Sequence, residues 1–432
     1  MTVTSQAIAP PARASLTVPQ GAALSIGAVL GTGVISLPAL AADLAGPASL
    51  LAWLALVLLS VPLAGTFAAL GARYPDGGGV STYARRAFGR RAAAMVGWCF
   101  YFAVPFGAPA AAMFAGHYVA DVLGGGMRTA LTTAVAVTLV VGLANYLGLK
   151  VSGRLQLALA SVLILLLVAA AVAALPYADP GNLRPFAPHG WAAVGSAAAL
   201  LVWAFAGWEA VSSLAADYRR PERELPRATA VTVVVVGVLY LAIAAASILV
   251  LGSAAGSSAA PLSDLLALGI GGPVREITAV VAVLLTIGAM NAYFAGAAKL
   301  GAALGRDGAL PTWFARGSAA GEIPRRSLLV VATLALVSLA AFGLLGLAIE
   351  ALVLLTTGVF SLVYVVGTAS AVRLLPRGTW ARRAAVVALV AVLGLLALTG
   401  PYVVWALLLA AAGLGFDTYA NRSRRGRPVP PG

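Results

Sequence analysis

The chain has 432 residues, of which 61% are apolar and 10% charged, with a mean hydropathy of +0.97. A soluble domain usually carries about 25% charged residues, so this composition excludes a soluble multi-domain enzyme and describes a chain that lies mostly in hydrocarbon. The formal net charge of +14 arises from 28 Lys and Arg against 14 Asp and Glu. The basic residues sit between apolar runs, so nucleic-acid binding is not needed to explain them, and the single cysteine, Cys99, excludes an intrachain disulfide and any multi-thiolate metal site.

A membrane-crossing helix needs about 20 mainly apolar residues. Residues 1–17 contain one basic residue, Arg13, and no separate short apolar stretch with a cleavage site, so they are expected to form a cytoplasmic tail rather than a signal peptide. Apolar runs bounded by Pro, Gly and charge then predict twelve spans. Five lie at 18–42, 47–72, 91–121, 128–147 and 154–175, and five more follow an outer loop, 176–190, at 191–214, 228–252, 275–303, 327–346 and 350–374. Two peripheral spans, 382–399 and 401–418, occupy the region 375–418, and a basic tail fills 419–432. With the amino terminus in the cytoplasm, every Lys and Arg except Arg128, Arg184 and Arg275 falls on the cytoplasmic side, which sets both termini inside. The excess charge is then loop bias with attraction to anionic lipid, and the arginines at 422, 424, 425 and 427 read as a solvated end.

Irregular backbone is tolerated at membrane depth only inside protein or beside a water-filled cavity. The first span has Gly27, Gly31 and Gly33 within seven positions, followed by Pro38. That pattern suits a broken helix, although the Gly27–Gly31 spacing equally suits a close helix crossing. The sixth span reads Trp203-Ala204-Phe205-Ala206-Gly207-Trp208-Glu209, and Glu209 is the one acidic residue placed well inside a span. Such a carboxylate is either a group on the transport path or an acceptor for a broken helix, and the cost of burying charge favours the first. Gly33 and Gly207 lie 174 residues apart, each in the opening span of a five-span set. An odd number of crossings inserts the second set upside down, the inverted symmetry in which broken helices meet at the midplane.

Leu30-Gly31-Thr32-Gly33-Val34, the loop Tyr74-Pro75-Asp76-Gly77-Gly78-Gly79, and Trp203 through Glu209 resemble the amino acid-polyamine-organocation superfamily. So do Pro221-Glu222-Arg223-Glu224-Leu225-Pro226-Arg227-Ala228 and Gly305-Arg306-Asp307-Gly308-Ala309-Leu310-Pro311, in matching order along nearly the whole chain. Leu30 to Ala42, Pro105 to Ala111 and Glu209-Ala210 are most similar to bacterial L-methionine and branched-chain amino-acid exporters.

The resemblance implies an all-α polytopic fold of about twelve transmembrane helices, LeuT-type, with two inverted five-helix halves, 18–175 and 191–374, and alternating access. It implies that a substrate carboxylate meets backbone N–H groups at Gly31, Thr32 and Gly33, in keeping with the anion affinity of a half-helix amino end. It assigns the ammonium to carbonyls at Ala28, Val29 and Trp203, Ala204, Phe205 and Ala206, beside Gly207. Trp203 matches a substrate-contacting tryptophan of arginine-agmatine antiporters and Glu209 their sixth-helix glutamate, the expected proton-coupling or gating group. One departure is the fifth span, apolar around Leu163 where relatives often carry a lysine; Lys150 and Lys299 lie at cytoplasmic span ends and set orientation instead. Asp217 stands where a glutamate is usual and keeps a cytoplasmic salt-bridge role.

Other constellations carry no site. Gly77-Gly78-Gly79 lacks the Lys-Ser or Lys-Thr of a phosphate-cradling loop, His117 and His189 have no catalytic partner, and Asn291, Tyr293, Thr356 and Thr357 are expected to satisfy neighbouring helices. The expectation is a non-enzymatic secondary carrier of the cytoplasmic membrane that needs no cofactor or metal and binds no nucleic acid. It exports neutral apolar amino acids (methionine, leucine, isoleucine, valine) against protons. An uptake permease or exchanger, for basic amino acids or amines, is the main alternative, and a non-transporting membrane sensor a further one.

Overall fold

A computed structural model describes residues 16–75, 79–149, 153–208, 215, 218–271, 273–318 and 322–425. The described residues are almost wholly helical, with one isolated backbone bridge between Leu16 and Tyr218. Among the described residues, ten helical segments are long and apolar enough to cross a membrane, and two shorter apolar ones, Val18–Leu30 and Ala192–Phe205, stand where the first and sixth spans are expected. The chain is a multi-pass membrane protein.

The first span comprises α1 (Val18–Leu30), a single 3₁₀ turn at Gly33–Ile35, and α2 (Leu37–Ala45). α1 starts where the Thr17 N–H donates to Gln20 Oε1 at 3.1 Å, and Pro19, whose missing N–H costs nothing in a first turn, follows at once. α3 (Ser49–Arg73), α5 (Arg90–Leu123), α6 (Gly126–Tyr146) and α7 (Gly153–Ala174) complete the first five crossings, with the short α4 (Gly79–Phe88) between α3 and α5. α8 (Ala192–Leu201) runs into a 3₁₀ turn at Val202–Phe205 and begins the second set. α9 (Pro221–Leu251), α10 (Pro261–Gly269), α11 (Val274–Asp307), α12 (Arg325–Leu345), α13 (Ile349–Leu374), α14 (Trp380–Leu398) and α15 (Val403–Arg425) follow. Gly346, with φ +59°, ends α12, so the apolar stretch from 327 to 374 is a hairpin of two crossings.

Two helices lie outside the expected spans. α4 buries Val80, Tyr83, Ala84 and Ala87, a helical i, i+3, i+4, i+7 stripe. α10 buries Leu262, Leu265 and Leu266. Both are too short to register as apolar runs, which is why hydropathy passes over them.

α5 is the most enclosed crossing and α7 among the least, so α5 forms the centre of the bundle and α7 a wall. α5 and α6 touch backbone to backbone, because Gly116 has no side chain and the Ala130 peptide occupies the place a Cβ would take. Small residues that let helices approach this closely supply van der Waals contact where lipid offers no hydrophobic drive.

Among the described residues, Arg85, Arg90, Arg306, Arg325, Arg326 and Arg373 lie at the end of the bundle that carries Leu16 and α4. Tyr218 belongs to this basic end. Its ring fills the space left by Gly21, and burial, with the nearby Glu224 charge, pushes its phenol up to about 12, so it stays neutral. The opposite end is closed by an ionic clasp. The Arg275 guanidinium, at the start of α11, meets Asp121 of α5 at 2.7 Å and Asp264 of α10 at 3.0 Å, while Ser263 and Ser258 donate to the same two carboxylates. All three charged groups are half-buried. Arg275→Gln leaves two carboxylates close together, and the loss of about 1–2 kcal/mol is expected to release α10. Labelling of a Leu262→Cys protein with a water-soluble maleimide should then speed up about tenfold, with Cys99 buried and silent. An unchanged labelling rate would show that the clasp does not hold α10.

Candidate functional site

The site begins where α1 stops. Gly31 has φ +28° and ψ −162°, a backbone that L side chains rarely adopt, so the helix ends there and the chain turns through Thr32 into Gly33–Ile35. Gly33 is small for a different reason: the indole of Trp203 and the Leu37 side chain lie 2.7 and 2.8 Å from where its Cβ would be. The two readings of Gly27 and Gly31 thus divide between the residues. Gly27 packs on Ala160 of α7 as a helix-crossing glycine, and Gly31 is the break.

The second break is built likewise. After the 3₁₀ turn, Ala206 is extended and Gly207 has φ +122°. A Cβ on Gly207 would lie 3.0 Å from the Ala28 carbonyl oxygen, so at this point the two interrupted spans touch backbone to backbone.

Tyrosine hydroxyls from three other spans hold the loosened backbone. Tyr240 of α9 lies 2.8 Å from the Val29 carbonyl and 2.7 Å from the Ala204 carbonyl, reaching both breaks at once. Tyr364 of α13 donates to the Phe205 carbonyl at 3.2 Å and accepts from the Gly207 N–H at 3.2 Å. Tyr118 of α5 donates to the Ile35 carbonyl at 2.6 Å and accepts from the Leu262 N–H at the start of α10. Buried backbone groups released from a helix need partners, and these phenols provide them.

Between the breaks lies a cavity of about 380 Å³. Ala28, Val29, Gly31, Thr32, Gly33, Trp203, Ala206 and Gly207 all line it. Ala204 and Phe205 are buried behind it, the Phe205 ring against Tyr240 and Trp53 at 5.2 and 6.2 Å. Glu209 and Asp217 lie outside the described residues. The Trp203 indole stands edge-on to Phe114 at 5.9 Å and forms one wall. The other walls mix small residues, Gly107 and Ala111 of α5, Ala160 of α7, and Gly288 and Ala292 of α11, with larger apolar ones such as Leu157, Leu285 and Phe360. Leu163 is on the wall of α7.

Tyr293 and Thr356, set aside on sequence grounds, also line the cavity, whereas Asn291 does not and instead accepts from Asn145 at 2.8 Å. The overlooked signal is periodicity within α13. Thr356, Phe360 and Tyr364 recur every four residues and so share one face, two on the cavity and one on the second break. Among the described residues the lining contains no Asp, Glu, Lys, Arg or His, and no three His, Cys, Asp or Glu side chains come together. Such a chamber offers backbone dipoles and apolar walls. It suits a small molecule with a polar head and an uncharged body.

Two interrupted helices enclosing a chamber in a multi-pass helical bundle are the architecture of a membrane transporter. The amino acid permease family model matches residues 16–418. The chain is 32% identical over 407 residues to the uncharacterized amino acid permease YecA of Bacillus subtilis, covering 94% of this chain and 95% of that one. It is 30% identical over 402 residues to the L-methionine/branched-chain amino acid exporter YjeH of Escherichia coli, covering 91% and 93%. A branched-chain amino acid permease of B. subtilis, BcaP, is 29% identical over 242 residues, about half of each chain. This chain belongs to the amino acid permease family of the amino acid-polyamine-organocation superfamily.

Proposed function

We propose that this protein is a secondary active carrier that moves neutral, apolar amino acids (methionine, leucine, isoleucine and valine) outward across the cytoplasmic membrane in exchange for protons, with both termini inside. The observation that carries the reading is the chamber itself: loosened backbone at one side, uncharged and mainly apolar walls at the others. The carboxylate meets the N–H groups of Gly31, Thr32 and Gly33, favoured by the positive end of the half-helix α2. The ammonium lies toward the carbonyls of Ala28 and Val29 and the second break, and the aliphatic body rests against Trp203, Gly107 and Phe360. Release from water of an apolar side chain contributes about 1.5–3 kcal/mol, while a charged side chain would enter without a counter-ion.

The α7 lining residues, Leu157, Leu159, Ala160 and Leu163, come from its basic-end half, and the Tyr118 and Arg275 contacts close the other end. These features support an inward-facing state. Likeness to the exporter of E. coli supports export. Likeness to the branched-chain permease BcaP supports uptake as a second reading. Glu209, next in sequence to Trp208, is the proton-linked group in this proposal, since a carboxylate inside a span titrates according to its burial.

Efflux from proteoliposomes preloaded with labelled leucine or methionine tests the reading. Efflux is expected to accelerate with an inward proton gradient and to be inhibited by the four apolar amino acids but not by arginine or agmatine. Glu209→Gln is expected to flatten the pH dependence while counterflow persists. Failure to exchange any amino acid would end the carrier reading, and an unaltered pH profile would remove Glu209 from coupling.

A further inference from the structure

Tyr240 is fully buried, its ring held between Trp53 and Phe205, both at 5.2 Å. Its oxygen lies 2.8 Å from the Val29 carbonyl and 2.7 Å from the Ala204 carbonyl. A phenol has one hydrogen. It can donate to only one of these carbonyls at a time, and the other then faces an oxygen lone pair at contact distance. One hydroxyl thus holds the backbone of both breaks within hydrogen-bond distance. Val29 lines the cavity while Tyr240 does not.

We propose that Tyr240 is a positioning residue for the substrate's amino group: its hydroxyl ties the two breaks together and so sets the Val29 carbonyl as an acceptor for an ammonium bound in the chamber. The proposal rests on the amino-acid reading above. When the ammonium binds Val29, the phenol hydrogen turns fully to Ala204, so occupancy of the chamber strengthens the link to the second break. The ring itself makes no contact with substrate.

The test compares leucine with 4-methylpentanoate, the same molecule without its amino group, as competitors of labelled leucine in binding to purified protein. Tyr240→Phe keeps the ring and its packing and removes only the hydroxyl. Its affinity for leucine is expected to fall about tenfold with that for 4-methylpentanoate unchanged, so the preference between them shrinks about tenfold. Tyr118→Phe, which deletes the hydroxyl bonded to Ile35 on the far side of the first break, is expected to leave the preference as in the wild type. Replacing Tyr240 by 3-fluorotyrosine, a stronger donor of nearly the same shape, is expected to raise it, and this arm serves if the phenylalanine variant does not fold. Equal weakening of both competitors, an unchanged preference, or the same shift in Tyr118→Phe would reduce Tyr240 to a structural role and overturn the proposal. A wild type that does not distinguish the two competitors would overturn the amino-acid reading, and this proposal with it.

Discussion

Replacing Gly207 by alanine is expected to abolish transport while leaving the protein folded. Gly207 has φ +122°, a conformation that costs a side-chain-bearing residue about 1–3 kcal/mol. The added methyl also meets the Ala28 carbonyl oxygen at 3.0 Å and the Val29 Cα at 3.3 Å. That contact is backbone to side chain, so no rotamer relieves it, and the first break must move away from the second. A combined cost of about 2–4 kcal/mol, at about 1.4 kcal/mol per factor of ten, lowers the population of the binding-competent arrangement by roughly 30- to 700-fold. Initial counterflow rates should fall accordingly, with a single monodisperse species retained on size exclusion. Gly296 is the matched control. It lies within α11, and a methyl placed there would have nothing within 4 Å, so Gly296→Ala removes a helix-interior glycine and is expected to leave transport intact and stability unchanged or slightly raised. Near-normal counterflow in Gly207→Ala would mean that the two breaks need not touch for transport.

The second large effect is expected on folding rather than transport. At Gly116 a Cβ would fall on the Ala130 carbonyl oxygen, with the carbonyl carbon 2.9 Å away. Here one helix backbone lies on another, and α5 cannot retreat from α6 without disturbing the chamber wall it forms on its other face. Overpacking of a rigid contact costs about 1–3 kcal/mol or more. Gly116→Val, with two further methyl groups, should exceed that range. The expected result is a sharp fall in monodisperse yield and a thermal midpoint in detergent lower by many degrees, with Gly116→Ala intermediate. A wild-type midpoint for the valine variant would sink the claim that α5 and α6 make backbone contact at this point. Gly116 lies outside the chamber lining, so a loss of folded protein without a change in substrate preference separates it from Gly207.

The site residues divide by the kind of information each required. The breaks at Gly31 and Gly207 were readable because a glycine within an apolar run is a local event, and its cost in a helix does not depend on what packs around it. Trp203 and Thr32 were readable by likeness to relatives. Ala204 and Phe205 belong to the same segment, yet the 3₁₀ turn at Val202–Phe205 rotates them behind the wall. A continuous segment of sequence does not say which side of a turn each residue takes.

What the chain determines by itself is where it crosses the bilayer and where those crossings falter, because transfer into hydrocarbon and backbone strain are properties of short segments. What the tertiary structure alone decided is how the faltering backbone is satisfied. The Tyr240 oxygen meets Val29 and Ala204 across 211 and 36 residues of chain, and Tyr118 meets Ile35 across 83. A lone tyrosine in an apolar span has no periodicity to betray its partner. Only the folding of α5, α9 and α13 around the two breaks brings each hydroxyl to its carbonyl, and burial away from water favours that pairing.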